Sequence, residues 1–573
     1  MPRLSGSPAS SASYLPREPH KTVLYRLIKR HGADFMQYAR ESYGRPLPRY
    51  IEDELRGYLR CGDFAQGFVH LTCTRCRHDV LVPFSCKQRG LCPSCAGRRM
   101  AAQAAHLVDC VLPAVPIRQF VLSFPFELSR LAAIKPDVLR ALARIHAEEL
   151  ARHFKRTAKP CAETSLIAPT GAKLHTGAVT FVQRFGSSLN LHVHMHTCAL
   201  DGIYIEPQAE KTTEGDAALL FLPATPPTRA ELQVLLERIA RRVMIWLRKR
   251  RYLSPDDASD SNDSPNLSFA ELLANIGTQR GTIENLKDAT GERDSPNEPA
   301  APFTNDALTH LGFNLHASLT LRADDDRGRE RLCRYGLRPP FALSRFRVLP
   351  DGRIAYRVKK STRRVSRCRV MTPVECIARL CALVPPPRYP LTRFHGVLAP
   401  RAKLRPRVVP KLPDSARALR ACNAADTSQN AAGKRDKKKR ERQREERPPP
   451  RDRSAPIIPD ALPISATLLA RQIDGAEVPA PNVLSAKHLD RIHSGLLFAA
   501  TSNVPWAGLL ARTFDVDSKA CSRCEGRLVV RAVISDISVA RQILDSLAKQ
   551  ARAPSRHEED AHDAVLVLDQ DYA

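Results

Sequence analysis

Leu189-Asn190-Leu191-His192-Val193-His194-Met195-His196, followed by Leu200-Asp201-Gly202, is the stretch on which the reading of this chain turns. Three histidines occupy alternate positions. In a β-strand, alternate side chains share a face. His192, His194 and His196 therefore point one way, and Val193 and Met195 the other. Imidazole is a common ligand of divalent metals and the side chain that titrates near neutral pH. Three on one face suit a divalent metal or a phosphate; the plainer reading is a polar strand face in solvent. The apolar runs on either side, Val179-Thr180-Phe181-Val182 and Ile203-Tyr204-Ile205, favour a site on a buried strand. Gly186-Ser187-Ser188-Leu189-Asn190 reads as a turn, which predicts an antiparallel hairpin of His175–Phe185 with Leu191–Ile205.

Working outward, 573 residues are too many for one core and predict two to four domains. A net charge of +29 calls for a polyanionic partner, nucleic acid by default. No apolar stretch reaches the length of a membrane span, and the first residues show no signal-peptide core. A soluble, cytoplasmic chain is expected. Thiols stay reduced in that compartment, so the 16 cysteines are read for metal before disulfides. Aromatics are only 6% of the chain, which shifts weight from base stacking to electrostatics and chemistry.

The predicted fold class is α+β. Residues 1–20 are Ser/Pro-rich and expected to be disordered, 21–115 form an N-terminal zinc-binding unit, and 116–410 form the main domain. Within the main domain, 253–303 is polar and reads as a flexible insertion; 411–465 is a basic low-complexity linker and 466–573 a small C-terminal module. Helices are predicted over about Arg98–Val111, Pro136–Lys155, 228–252 and Asp324–Tyr335, the last stopped by Gly336 and Pro339-Pro340. Arg118–Phe124 and Gly312–Ala317 read as strands, and Phe346–Lys359 as a hairpin turning at Pro350-Asp351-Gly352.

Cys73-Thr74-Arg75-Cys76 and Cys92-Pro93-Ser94-Cys95 have the spacing of a tetrahedral zinc site, two thiolates from each knuckle. Cys61 and Cys86 are then spare: buried small hydrophobes, or, for Cys86, a residue that exchanges into the site. Lys87, Arg89, Arg98 and Arg99 give this region a basic face. Cys521-Ser522-Arg523-Cys524 is half a site. Distant ligands complete it, or its thiols are unliganded; spacing leaves both open.

A metal beside a basic surface suggests phosphodiester chemistry with a protein nucleophile. Tyr335 is the candidate. It ends the run Arg329-Glu330-Arg331-Leu332-Cys333-Arg334-Tyr335, with Arg331 four residues back on its face and Arg334 and Arg338 close by as DNA-binding cations. Cations near a phenol favour phenolate and hold a phosphate. An ordinary packing tyrosine is the competing reading.

Several stretches occur together and in order: Ser85-Cys86-Lys87-Gln88-Arg89-Gly90-Leu91-Cys92-Pro93-Ser94-Cys95; Gln183-Arg184-Phe185-Gly186-Ser187-Ser188-Leu189-Asn190; His194-Met195-His196 with Asp201-Gly202; Gly312-Phe313-Asn314-Leu315-His316-Ala317; Leu332-Cys333-Arg334-Tyr335 with Arg338-Pro339; Phe394-His395-Gly396-Val397-Leu398-Ala399-Pro400; and Trp506 through Phe514-Asp515-Val516-Asp517 to Cys521-Ser522-Arg523-Cys524. In these the chain resembles the rolling-circle transposases of bacterial insertion sequences, of the histidine-hydrophobic-histidine (HUH) nuclease class, which carry an N-terminal zinc-binding domain.

The resemblance implies an antiparallel-sheet HUH nuclease domain with helices behind a small zinc ribbon. His194 and His196 match the HUH pair, ligands of Mg2+ or Mn2+, and His192 is not required. Tyr335 matches the nucleophile that leaves a 5′-phosphotyrosine and a free 3′-hydroxyl on single-stranded DNA at element ends. A third polar ligand is expected, from His316 or His395. The chain departs from two-tyrosine members, which carry the first tyrosine four residues earlier; Arg331 stands there. Gly336 and the insertion at 253–303 also depart. The same chemistry would serve a plasmid replication initiator or relaxase, and a non-enzymatic zinc-ribbon DNA-binding regulator is the alternative from another class.

Overall fold

The computed structural model describes residues 14–15, 18–43, 46–157, 172–206, 219–252, 283–285, 307–358, 367–411, 467–468, 498–499, 501–502, 504, 506–514, 517–524 and 526–552. Most of 1–20, all of 253–303 but three residues, and nearly all of the linker at 411–465 lie outside them.

The chain is α+β with antiparallel sheets. Helix α1 (Val23–Tyr43) buries Leu24, Leu27, Ile28 and Phe35, and α2 (Arg49–Arg60) buries Ile51, Leu55 and Tyr58. The three- and four-residue steps give each helix one apolar stripe. Strands β1 (Phe68–Cys73) and β2 (Asp79–Pro83) make an antiparallel ribbon. Helix α3 (Pro93–Cys110) starts earlier than the apolar pattern suggests, because Cys92 is its N-cap and Pro93 takes the first position, where a missing N–H costs nothing.

Strand β3 (Ile117–Ser123), helices α4 (Phe126–Ile134) and α5 (Pro136–Thr157), and strands β4 (Lys173–His175), β5 (Gly177–Phe185) and β6 (Leu191–Leu200) follow. Then come β7 (Gly202–Glu206), β8 (Leu220–Pro223) and α6 (Arg229–Lys249), the last opened by a capping box of Thr228 and Glu231. Short strands β9 (Ile283–Asn285), β10 (Leu308–His310), β11 (Phe313–His316) and β12 (Thr320–Leu321) lead to α7 (Asp326–Leu337). Strands β13 (Phe346–Val348), β14 (Ile354–Arg357) and β15 (Arg367–Met371), helix α8 (Pro373–Leu383) and strand β16 (Thr392–Gly396) complete this part. Toward the C-terminus lie α9 (Trp506–Phe514), β17 (Leu528–Ile534) and α10 (Ile537–Arg552).

The central sheet runs β10-β11-β3-β6-β5-β16, with β12 also on β3. Its middle is the predicted hairpin, β5 on β6, closed by Gly186 N–H donating to the Asn190 carbonyl at 2.9 Å. Leu189 takes a φ of 57° in that turn. The second arm is shorter than predicted. It stops at Leu200, because Asp201 turns inward to accept two hydrogen bonds from Arg118, at 2.9 and 2.8 Å, both residues buried. Ile203–Ile205 therefore belong to β7, in a separate three-stranded sheet β4-β7-β8.

Residues paired across the strands share a face, so the register sorts the core. One face carries Val193, Met195 and Val182 into the large cluster with α4 and α5. Ser129 of α4 takes a 2.6 Å hydrogen bond from Val193 N–H of β6 on that side. The other face carries Val179, Phe181 and Cys198 against Leu332 and Cys333 of α7 and Leu107 of α3.

Two further expectations change. Helix α7 runs through Gly336 to Leu337 and is capped by Asp325, whose carboxylate accepts from Gly328 N–H at 2.8 Å. The C-terminal segment is not a separate module: β17 pairs with β1, giving one sheet, β17-β1-β2, from opposite ends of the chain. Among the described residues no helix is long and apolar enough to cross a membrane.

Candidate active site

The central strand delivers its histidines as alternation requires. The His192 and His194 rings stack at 5.2 Å, and the His194 and His196 rings meet edge-on at 5.0 Å. His194 Nδ1 lies 3.1 Å from the carbonyl oxygen of His192. A carbonyl only accepts, so Nδ1 carries the proton and the Nε2 lone pair is left to bind. His196 Nδ1 lies 3.0 Å from the side-chain amide of Gln119 on β3. The amide nitrogen faces Nδ1, which then accepts and leaves the proton on Nε2; turning the amide by 180° presents its oxygen, moves the proton to Nδ1 and frees the Nε2 lone pair. His196 Nε2 is buried with no partner among the described residues. Burial, helped by the other histidines and Arg338, pushes His194 down to about 4 and His196 to about 2. Both imidazoles are neutral at physiological pH, the form that ligates a metal.

Tyr335 comes to this site from α7. Its ring stands 5.2 Å from the His196 ring, nearly perpendicular, and the residue is 39% exposed. Gly336 permits that approach: a Cβ there would lie 2.4 Å from Phe181 Cδ2, and Phe181 pairs across the sheet with His196. Gly336, a departure at the level of sequence, is the contact point of helix and sheet. Tyr335 is partly exposed, while Leu332, Cys333 and Gly336 of α7 are buried.

Gln183, a residue the sequence did not single out as a ligand, ties the two elements together. It pairs with His194 across the sheet, and its Nε2 donates to the backbone oxygens of Tyr335 at 2.7 Å and Gly336 at 3.2 Å. Its Oε1 is left buried without a partner among the described residues. The signal in the sequence was a lone glutamine on a strand face otherwise made of Gly177, Val179, Phe181 and Phe185.

The three arginines separate. Arg331 is exposed on the Tyr335 side of α7. The Arg338 guanidinium lies 4.3 Å from the centre of the Tyr335 ring and 5.3 Å from that of Phe185. Arg334 is not a surface cation: it is buried and donates to Glu330 at 2.6 Å. Glu330 also accepts from Arg512 of α9 at 2.9 Å, and Arg512 grips Asp109 of α3 at 2.5 and 2.9 Å. Helical spacing placed Arg334 near the tyrosine; the buried carboxylate decided which way it faces.

Neither histidine proposed as a third ligand joins the pair. His316 is on the same face but lies opposite Val121, which itself lies opposite His196. Two strand spacings amount to roughly 9–10 Å, and His316 Nε2 contacts Ser318 at 3.1 Å instead. His395 is opposite Ala178 and on the other face, 3.1 Å from Thr180 Oγ1.

The cysteines regroup. Cys73, Cys76, Cys92 and Cys95 do not share one site. Cys92 and Cys95 gather with Cys61 and Cys86, while Cys73 and Cys76 gather with Cys521 and Cys524, the donor atoms of each set all within 4.8 Å of one another. The ribbon between the two CxxC pairs carries them to different neighbours. In the first set, Sγ separations are 3.5 Å for Cys61–Cys92, 3.7 Å for Cys61–Cys95 and 3.5 Å for Cys86–Cys95. Four thiolates about 2.3 Å from a zinc ion stand about 3.8 Å apart, whereas a disulfide needs about 2.05 Å. The set fits structural zinc. Glu54 holds the loop between Cys86 and Cys92 by accepting from the backbone N–H of Arg89, Gly90 and Leu91.

Two family models match this chain: "Transposase zinc-binding domain" over residues 27–124 and "Putative transposase" over residues 177–405. No curated protein and no solved structure matches it. The first match spans the Cys61 set; the second begins at β5 and takes in both histidines and Tyr335.

Proposed function

We infer, for a chain that belongs to the IS91-type transposases, that it cuts and rejoins single-stranded DNA through Tyr335, as an HUH-class nuclease. One observation carries this reading: the ring of an exposed tyrosine stands 5.2 Å from the ring of His196, whose Nε2 is buried and has no partner among the described residues. A solvent-reachable tyrosine ring and a neutral imidazole pack edge-on against each other there.

The phenol attacks the scissile phosphorus and loses its proton. The bond from phosphorus to O3′ breaks, the strand segment 3′ of the break stays on Tyr335 through its 5′-phosphate as a phosphodiester, and the leaving oxygen takes a proton to become the 3′-hydroxyl of the other segment. A 3′-hydroxyl from another strand then attacks the same phosphorus and expels the tyrosine, which rejoins DNA without an external energy source. Arg331 and Arg338 flank the phenol, hold the phosphate and favour phenolate. With Arg331 in place of an earlier tyrosine, one nucleophile serves both steps. His194 Nε2, His196 Nε2 and Gln183 Oε1 would be the donors for a divalent cation, with Gln183 in the place first given to His316. The resemblance implies Mg2+ or Mn2+ there, which when bound would polarise the phosphoryl oxygen and offset transition-state charge. The zinc-binding half, with Lys87 and Arg89 exposed, contacts the element end.

The test is a denaturing gel of the full chain with single-stranded oligonucleotides from both element ends. A covalent adduct that needs Mg2+ or Mn2+ and disappears in Tyr335→Phe is expected. Equal adduct from wild type and variant would overturn the assignment.

A further inference from the structure

We propose that Cys73, Cys76, Cys521 and Cys524 form a second structural zinc site, separate from the Cys61 set, that clasps the C-terminal segment onto the N-terminal ribbon. The proposal is independent of the DNA chemistry at Tyr335.

Each CxxC pair is built in the same way. In the first, Cys73 N–H donates to the carbonyl of His78 at 2.9 Å, and Arg75 N–H donates to Cys73 Sγ at 3.4 Å. In the second, Cys521 N–H donates to the carbonyl of Gly526 at 2.7 Å, and Arg523 N–H donates to Cys521 Sγ at 3.4 Å. Both turns therefore join the first cysteine to the residue five further on, and both aim the amide two residues on at its sulfur. Amides directed at sulfur favour the thiolate, the form that ligates a metal. A lone CxxC is weak evidence; two equivalent knuckles facing each other are a tetrahedral donor set.

The facing distances agree. Cys73 Sγ is 3.5 Å from Cys524 Sγ, and Cys76 Sγ is 3.6 Å from Cys521 Sγ, too long for disulfides and near the edge of a zinc tetrathiolate tetrahedron, about 3.8 Å. Gly526 makes the approach possible: a Cβ there would lie 2.8 Å from both Cys73 Sγ and Arg75 Cβ. The chains then continue as paired strands, Leu528 opposite Cys73 through to Ile534 opposite Phe68, and Thr74 N–H donates to the Arg527 carbonyl at 2.9 Å. The site joins sulfurs 445 and 451 residues apart. The same C-terminal segment carries Arg512, which bridges Asp109 to Glu330 on the tyrosine helix. A clasp at the chain ends thus holds in place a buried contact of α7.

Zinc content of the purified full chain by elemental analysis reads the site directly. Two zinc ions per chain are expected, and one in the Cys521→Ser, Cys524→Ser double variant. Cys76 is exposed while Cys61, Cys92 and Cys95 are buried, so a chelator should remove one equivalent in a fast phase that the double variant lacks. One zinc in the wild type, or two in the variant, overturns the site. Cobalt substitution of the wild type covers a variant that fails to fold: thiolate-to-cobalt absorption for two tetrathiolate ions per chain is expected, and absorption for one overturns the proposal. For the clasp itself, a protease site is inserted after Lys439 in the full chain. After cleavage, the C-terminal fragment should stay with the rest in zinc and leave on chelation. Retention after both zinc ions are removed overturns the fastening role.

Discussion

Histidines are buried on both faces of the central sheet, and the two faces use them differently. On the α5 face, His146 Nε2 contacts Thr197 Oγ1 at 3.1 Å, Thr197 contacts Thr180 at 2.9 Å, and Thr180 contacts His395 Nε2 at 3.1 Å. These side chains form one line of contacts on that side, from the buried His146 to the half-buried His395. Burial pushes His146 down to about 3 and His395 to about 4, much as it does His194 and His196. Burial and a lowered pKa therefore do not tell a ligand from a core histidine. His146 even shares with His196 an unpartnered ring nitrogen. The difference is what stands beside that nitrogen. Next to His196 are an exposed phenol and, on the neighbouring strand, the unpartnered oxygen of Gln183.

The largest effect that tests this contrast is on DNA cleavage. His194→Ala and His196→Ala, like Tyr335→Phe, should reduce metal-dependent adduct on the order of 10³-fold or more, while His146→Gln and His395→Asn leave it near wild type. Equal losses on both faces, read on the same gel, would erase the distinction. A second substitution probes how the tyrosine is carried. Gly336→Ala sets a methyl against Phe181, and such overpacking costs about 1–3 kcal/mol. Urea melts should show that loss, and the adduct should fall as α7 lifts from the sheet.

The third prediction concerns pH. His146 is neutral when folded and has an ordinary value near 6.5 when unfolded, so the unfolded chain takes up a proton first as pH falls. Its folded value is depressed, so stability is full above about 6.5 and is lost toward about 3. Between pH 7 and 5 this amounts to about 2 kcal/mol for each such histidine. Urea melts of His146→Gln at the two pH values should show a stability difference smaller by about that amount. The smallest effect is at Arg331, exposed beside Tyr335. Arg331→Ala should shift stability by no more than about 0.5 kcal/mol and lower the salt slope of DNA binding by about 1. A large loss of stability there would place Arg331 with Arg334, inside the fold.

Much of this was legible in the chain because it depended on local period. The β5–β6 hairpin, the common face of His192, His194 and His196, and the helix carrying Tyr335 follow from alternation, turn residues and caps, which act over a few residues. The partners of those groups did not follow. Arg331 and Arg334 look alike in sequence, and only Glu330 and Arg512 separate them. His316 and His395 both look like ligands until strand order puts one beyond Val121 and the other on the opposite face. Gln183 looks like an ordinary strand residue until it meets the backbone of Tyr335.

The cysteines divide the two kinds of information most clearly. CxxC spacing by itself pointed to metal at Cys73-Cys76 and Cys92-Cys95, where two pairs follow each other closely, and left Cys521 and Cys524 open. The sequence also determined that the chain is basic and carries three histidines on one strand face. Which knuckle faces which was decided only by the tertiary structure. A ribbon turns Cys73 and Cys76 away from Cys92 and Cys95, and β-pairing carries Cys521 and Cys524 to them across the whole chain. A tetrahedral site needs four sulfurs at one point in space, and distance in space is set by strand pairing and packing rather than by distance along the chain.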